Sequence, residues 1–383
     1  MRPWGRCTLV RASKAGPTAP QRPGPGLAIT PGMLPPMLRA VTDVRPGEGR
    51  TVALGASSFF LVLCAYFVLR PVREAMGVHR DFADLYWLWG VTLLGMLGAN
   101  ALYALLASNI AKRLLATCTY RVFALSLCAF IAVLVLAPDL TERAFMTLPI
   151  VDQPITVGHV FYVWLSVFNL FAVSLFWAQA ADRFGLEQAK RLFPLLGAGG
   201  TLGALGGSAI TTWLAGAVEP VVLMGISLAL WRVAIGVSAA AFAAPVAAGT
   251  PGPDARNSAD AAQGRKAGRG SLDAMRGLAR VVGSPYLLGI SAWMFMLAIA
   301  SSLMYFTQAE IVTDTGSGLR EKIFLFAQID LLTQGTTLLI QLTITARLLR
   351  TLGVGRMLLL LPAMLIAGYA ALAAMPTYAV LAI

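Results

Sequence analysis

The feature that most limits the fold of this chain is a succession of nine long apolar segments. A helix of about 20 apolar residues spans the hydrocarbon core of a bilayer, and each segment approaches that length. Backbone polar groups must be satisfied within lipid, so the segments are expected to be helices. The segments cover 51–69 (or 51–77), 85–108, 117–137, 157–181, 195–217, 220–244, 285–307, 322–345 and 356–375, and an apolar stub follows at 377–383.

Composition agrees with a membrane location. Of the 383 residues, 57% are hydrophobic and 13% are charged, which leaves too few polar groups to cover the surface of a water-soluble protein. We therefore predict an all-α polytopic membrane protein. It would have a six-helix bundle over 51–244 and about three helices of an incomplete second bundle over 285–383.

Two polar regions flank and separate these bundles. Residues 1–50 are rich in proline and arginine and lack an amphipathic pattern. This composition predicts a disordered tail, or a translation start assigned upstream of a true start at Met33 or Met37. Residues 245–284 are predicted to be a flexible cytosolic linker.

Basic residues are distributed unevenly along the chain. With the N-terminus in the cytosol, the cytosolic segments carry 23 of the 30 lysines and arginines, and the loops on the other side carry six. This asymmetry follows the positive-inside rule, so the net charge of +12 is attributed to topology and no nucleic-acid partner is expected. The predicted location is a bacterial inner membrane with a cytosolic N-terminus.

Several kinds of catalytic or metal chemistry have no motif in the sequence. The four cysteines show no C-x-x-C spacing, and the two histidines form no H-E-x-x-H pattern. No cofactor, metal site or enzymatic activity is therefore predicted. The glycine-rich stretch GAGGTLG at 197–203 matches neither phosphate-binding fingerprint, and we expect Gly199, Gly203 and Gly207 to serve close helix packing.

Residues on the two sides of the linker look alike. Tyr66-Phe67 is echoed by Tyr305-Phe306, and the basic loop that begins at Ala111 is echoed by the loop that begins at Ala346. Topology or chance would explain some of this likeness. A parallel repeat of two six-helix bundles is a transporter architecture, and on that interpretation the chain is a fragment of a twelve-helix protein or is truncated.

The end of the first segment carries candidate binding residues. Tyr66, Arg70 and Arg73 share one helical face, and Glu74 is an i+4 neighbour of Arg70. Guanidinium groups suit bidentate capture of phosphate or carboxylate. The alternative is that the arginines reach out to the membrane interface. Pro71 predicts a kink or a helix end.

The eighth segment carries a polar stripe at helical spacing, formed by Asp330, Gln334, Thr337 and Gln341. A carboxylate does not face lipid cheaply, so the stripe is expected to line a cavity between the bundles. Hydrogen bonding between packed helices is the alternative.

Four further candidates lie in or beside the fourth and fifth segments. Lys190 and Arg191 are placed at the cytosolic mouth, where they would attract an anion or simply enforce topology. Asn169 and Trp177 are two turns apart on one face and are candidates for lining the same cavity, although Trp177 also suits ordinary packing.

Arg232 lies near the middle of the sixth segment. A charge at that depth is expected to be functional and to have a partner, for which Glu74 and Asp330 are the candidates.

Two stretches resemble a known family. FFLVLCAYFVLRPVREAMG at 59–77 and LFWAQAADRFGLEQAKRLFPLLGAGGTLGALGGS at 175–208 are similar to the ATP:ADP antiporter family, distant members of the major facilitator superfamily. The resemblance covers 51–244 well and 285–375 weakly. It rests on three motifs. Arg70, Arg73 and Glu74 match a basic-x-x-basic-acidic motif, and Phe176-Trp177 matches a Phe-Trp pair. Ala189 to Phe193 match a basic stretch before a glycine-rich helix.

The leading hypothesis is a secondary transporter that works by alternating access, and the resemblance implies nucleotide exchange. The expected partners are the lipid bilayer and a small anionic solute, a nucleotide being one candidate, with no obligate protein partner. One alternative is proton-coupled transport of another organic solute, with Asp330 or Glu74 as the titrating group. Another is a membrane protein that does not transport.

Overall fold

The computed structural model describes residues 44–45, 48–79, 82–109, 112–137, 139, 144–148, 153–242, 281–343, 345–375 and 377–382. Most of the predicted tail, most of the predicted linker and Ala111 lie outside the described residues.

Helices account for most of the described chain. The main helices are α1 Gly49–Gly77, α2 Asp84–Asn109, α3 Lys112–Leu136, α4 Val157–Arg183, α5 Leu186–Leu214, α6 Pro220–Phe242, α7 Pro285–Thr315, α8 Leu319–Thr343, α9 Thr345–Ala374 and α10 Tyr378–Ala382. A short antiparallel hairpin, β1 Met146–Leu148 and β2 Gln153–Ile155, lies between α3 and α4. The sequence patterns did not predict this hairpin.

The chain is an all-α polytopic membrane protein apart from this hairpin. Eight helices of the described chain, α1 to α8, are long and apolar enough to cross a bilayer. In α9 the apolar part is shorter, Leu358–Ala374. It follows a break at Gly353, whose φ of 70° lies in the left-handed region that glycine adopts without strain.

The apolar segments predict the helices better than they predict the helix ends. α1 runs through Pro71 to Gly77, so the prediction of a helix end at the proline is wrong. α5 begins at Leu186, before its apolar segment, and α7 continues to Thr315, past its own. Polar residues end a hydrophobic segment without ending the helical backbone, so a helix extends beyond the membrane core.

Helix α5 packs directly on the backbone of α1. A Cβ atom added at Gly199, Gly203 or Gly207 would lie less than 3.0 Å from the backbone carbonyl oxygen of Ala56, Phe60 or Cys64, respectively. The two sets share the same i, i+4, i+8 spacing. The prediction that these glycines serve close helix packing is confirmed.

Polar side chains also tie α1 to its neighbours. The Thr211 hydroxyl of α5 donates to the carbonyl oxygen of Val68 at 3.2 Å, and the Ser227 hydroxyl of α6 donates to that of Ala65 at 2.7 Å. α1 is therefore the central helix, held through its own backbone as well as through apolar side chains.

Helices α7 and α8 are buried at only one end of the bundle. We call this the sealed end, and it is where α1 ends and α8 begins. The buried residues of α8 lie between Lys322 and Asp330, and those of α7 between Ala309 and Val312. Farther from this end the large side chains of both helices are exposed, as at Phe295.

Two polar contacts close the sealed end. The Lys322 ammonium of α8 donates to the carbonyl oxygen of Val78 at 3.3 Å, directly after the last residue of α1. A cation suits this position, since the carbonyl end of a helix carries partial negative charge. Arg320 of α8 pairs with Glu219 of the loop before α6.

Candidate functional site

Four charged side chains meet near the end of α1, and we call them the charged cluster: Arg70, Arg73, Glu74 and Asp330. The Arg70 guanidinium lies 2.8 Å from the Asp330 carboxylate of α8 and 3.9 Å from the Glu74 carboxylate. Arg73 also pairs with Glu74. The cluster therefore joins α1 to a helix that lies far along the chain.

Hydroxyl groups from two more helices complete this cluster. Tyr305 of α7 donates a hydrogen bond to the Glu74 carboxylate, and its hydroxyl lies 2.8 Å from that of Tyr162 of α4. The Arg73 guanidinium donates to the Ser166 hydroxyl at 3.0 Å and lies 4.9 Å from the centre of the Tyr162 ring. Four helices thus converge on the four charges.

The two carboxylates are almost completely removed from solvent. Glu74 is 4% exposed and Asp330 is 5% exposed, while the Arg70 and Arg73 side chains are 28% and 13% exposed. Desolvating charges is costly, and pairing them in good geometry offsets that cost. Both guanidinium groups point at acids inside the bundle, which is not the arrangement of arginines that reach out to the interface.

Two predicted residues lie beside the cluster. Tyr66 is buried one turn before Arg70, and the Arg70 guanidinium lies 5.5 Å from the centre of the Phe67 ring. On α8, Gln334 and Thr337 are half-buried beyond Asp330, and Gln341 is exposed. The predicted polar stripe is therefore fully buried only at its first residue.

Arg232 is not part of the charged cluster, so the expectation that it pairs with Glu74 or Asp330 is wrong. Those carboxylates are occupied by Arg70 and Arg73. Arg232 is exposed beside Arg121 of α3 instead. Sequence position gave its depth in the helix but not the direction of its side chain.

The other predicted residues lie apart from the charged cluster. Lys190 forms an exposed ion pair with Glu187 at 2.9 Å. Exposed ion pairs contribute little to the stability of a fold. The Trp177 ring packs 5.4 Å from that of Phe59 and 5.2 Å from that of Phe193, as expected for ordinary packing. Asn169 is half-buried on α4.

Arg191 ties the start of α5 to the start of α1. Its guanidinium lies 3.3 Å from the Glu48 carboxylate, which also accepts a hydrogen bond from the Gln188 amide at 2.9 Å and one from the Arg45 backbone N–H at 3.1 Å. Desolvation opposes ionisation of Glu48, but these hydrogen bonds and the Arg191 charge prevail and lower its pKa.

The lowered pKa of Glu48 predicts acid sensitivity at this contact. A carboxylate with a lowered pKa stabilises the fold at neutral pH and loses that contribution as the pH falls below the usual glutamate value of 4.5. We expect the difference in melting temperature between the unaltered chain and Glu48→Gln to shrink as detergent-solubilised protein is acidified. A difference that is independent of pH would contradict this.

Sequence reasoning missed Tyr162, Ser166 and Tyr305 as site residues. Tyr305 was visible only as the counterpart of Tyr66 in the apparent repeat, and Tyr162 only as one of several aromatic residues at the start of a segment. Tyrosine and serine are common in membrane helices. Their role appears only when the helices are assembled.

Within the described residues, no group of three or more His, Cys, Asp or Glu side chains is placed to hold a metal ion. Comparison of the chain with protein-family models, with curated proteins and with solved structures finds no significant match. Its function therefore has to be inferred from the charged cluster and the helices that form it.

Proposed function

We propose that the chain is a secondary transporter that binds a small anionic solute at the charged cluster and works by alternating access. The observation that carries this proposal is the ion pair between Arg70 of α1 and Asp330 of α8. It places a guanidinium group, the side chain best suited to phosphate and carboxylate oxygens, at the junction of the first six helices with the later ones.

The cluster suits a mechanism in which the solute competes with the protein's own acids. An anionic group that binds Arg70 takes the place of the Asp330 carboxylate, and one that binds Arg73 takes the place of Glu74. Releasing Asp330 removes the ionic tie between α1 and α8. A ligand shifts a conformational equilibrium only through its different affinity for the two states, and this exchange of partners supplies such a difference.

The one-sided burial of α7 and α8 agrees with this mechanism. The sealed end is closed by Lys322 and Arg320, whereas both helices are exposed toward the opposite end. We assign the sealed end to the outer face of a bacterial inner membrane, with the N-terminus of the chain in the cytosol.

A nucleotide is the solute that the resemblance of 59–77 and 175–208 to ATP:ADP antiporters favours. Its phosphate groups would engage the two guanidinium groups, and exchange of one nucleotide for another needs no proton relay. A second candidate is proton-coupled transport of another anion, which the nearly complete burial of the Asp330 carboxylate favours. A pH gradient would drive the second kind of transport but not nucleotide exchange.

The test is uptake by proteoliposomes that contain the full chain and are preloaded with ADP or ATP. A charge-assisted hydrogen bond contributes about 1.5–3 kcal/mol, so Arg70→Ala should weaken nucleotide binding about tenfold to a hundredfold. Arg70→Lys keeps the charge without the planar fork and should lie between Arg70→Ala and the unaltered chain. Rates are compared at equal amounts of folded protein.

Two matched variants separate solute binding from general effects. Lys190→Ala also removes a basic residue, but from an exposed pair away from the cluster, and should leave nucleotide affinity unchanged. Asp330→Asn removes the acid that competes for Arg70 and should bind nucleotide at least as tightly as the unaltered chain. Equal affinity of Arg70→Ala, Arg73→Ala and the unaltered chain would refute the proposed site.

A further inference from the structure

The exposed side of the contact between α3 and α6 carries two arginines that are not part of the charged cluster. Arg121 of α3 and Arg232 of α6 are both exposed, and they line a groove of about 330 Å³. The other lining residues are small or apolar: Ala124, Leu125, Cys128 and Leu228. The groove therefore combines two positive charges with apolar walls.

The two arginines lie within the apolar parts of their helices, which are Thr117–Leu136 in α3 and Pro220–Phe242 in α6. At a rise of 1.5 Å per residue, Arg232 is about 15 Å from the last residue of α6, and Arg121 is about 6 Å from the start of the apolar part of α3. The indole N–H of Trp231 donates to the carbonyl oxygen of Tyr120 at 3.1 Å. Because these residues directly precede the two arginines in sequence, the bond holds both arginines at one level.

The surface around the groove is one that faces lipid. The neighbouring side chains of Val122, Leu125 and Val233 are exposed and apolar. Within the described part of the chain, neither Arg121 nor Arg232 has an acidic partner, in contrast to Arg70 and Arg73 in the charged cluster. Guanidinium groups beside hydrocarbon without a counter-charge are unfavourable, so these positions favour an anion from the surroundings.

We propose that this groove binds an anionic phospholipid. Its phosphate group lies between Arg121 and Arg232, whose guanidinium forks match phosphate oxygens, and an acyl chain lies along Leu125 and Leu228. The groove opens sideways onto the membrane, so a lipid reaches it by diffusion within the leaflet. A basic pocket between membrane helices is a recognised kind of site for acidic lipid headgroups.

The experiment counts the lipids that the purified full chain retains, by native mass spectrometry, and involves no transport measurement. The protein is incubated in detergent with equal amounts of phosphatidylglycerol and phosphatidylcholine that carry identical acyl chains. We expect the unaltered chain to retain phosphatidylglycerol preferentially. The double variant Arg121→Gln/Arg232→Gln should lose this retention by at least about tenfold, because both charged donors are removed.

Further variants separate the groove from general charge. Lys190→Gln/Arg356→Gln also removes two exposed basic side chains, neither of which lines the groove, and should retain phosphatidylglycerol like the unaltered chain. Arg121→Lys/Arg232→Lys keeps both charges and should retain an intermediate amount.

Two outcomes measured on the unaltered chain would overturn the proposal, so the test does not depend on how well the double variant folds. Equal retention of the two lipids by the unaltered chain would overturn the proposal. Release of bound phosphatidylglycerol by an excess of inorganic phosphate would also overturn it, since that result indicates a site for a free anion.

Discussion

Replacing Glu74 with alanine is expected to lower the free energy of unfolding by about 3–5 kcal/mol, the usual cost of removing one partner from a buried ion pair. Glu74 is 4% exposed and is contacted by Arg70, Arg73 and Tyr305. Without it, the cluster keeps two guanidinium groups and one carboxylate, and the Tyr305 hydroxyl loses its carboxylate acceptor. Denaturant unfolding in detergent micelles measures the loss.

A double variant distinguishes an uncompensated charge from lost packing. Arg73→Met/Glu74→Leu removes one cation and one anion together, so the cluster stays neutral. This variant should be more stable than Glu74→Ala, because replacing a whole buried pair with apolar side chains is often close to neutral. If it is less stable than Glu74→Ala, Glu74 acts through packing and the charge argument is wrong.

Substitution of Gly203 by alanine is expected to cost about 1–3 kcal/mol, as overpacking of a filled interface does. The added Cβ would meet the backbone carbonyl of Phe60, which cannot rotate away as a side chain can. Helix α5 would have to move away from α1 over the length of their contact. Thermal unfolding of detergent-solubilised protein, compared at equal protein concentration, reports the change.

Gly197 provides the control in the same helix. In the described part of the chain, a Cβ atom at Gly197 would meet no heavy atom within 4 Å beyond its chain neighbours and the nearby backbone of its own helix. Alanine is also a better helix former than glycine by about 1 kcal/mol, so Gly197→Ala should be neutral or stabilising. Similar losses at both positions would show that the α5 backbone, rather than its contact with α1, is sensitive to the change.

The membrane-spanning helices could be predicted because each corresponds to a continuous apolar segment of the sequence. Helix ends were less predictable, since α7 continues through Glu310 and Asp314 after its apolar segment has ended. The hairpin at Met146–Leu148 and Gln153–Ile155 was missed because three-residue strands carry too little periodicity to be recognised.

The candidate site was predictable in its components and not in its pairing. Arg70, Arg73, Glu74 and Asp330 stood out as charges in apolar segments, which is a local signal. The pair between Arg70 and Asp330 depends on how α8 packs against α1, which no local pattern records. Arg232 carried the same local signal and points away from the cluster, so a charge at membrane depth indicates importance without indicating its partner.

The balance of charge in the cluster bears on how the membrane potential acts on the protein. Two guanidinium groups paired with two carboxylates sum to zero, so helix movements around them carry no net charge through the electric field. Moving one elementary charge across the membrane involves about 2.3 kcal/mol per 100 mV. In the proposed cycle, the empty cluster therefore adds no net charge to the voltage dependence of reorientation, and a solute bound there contributes its own charge to that dependence.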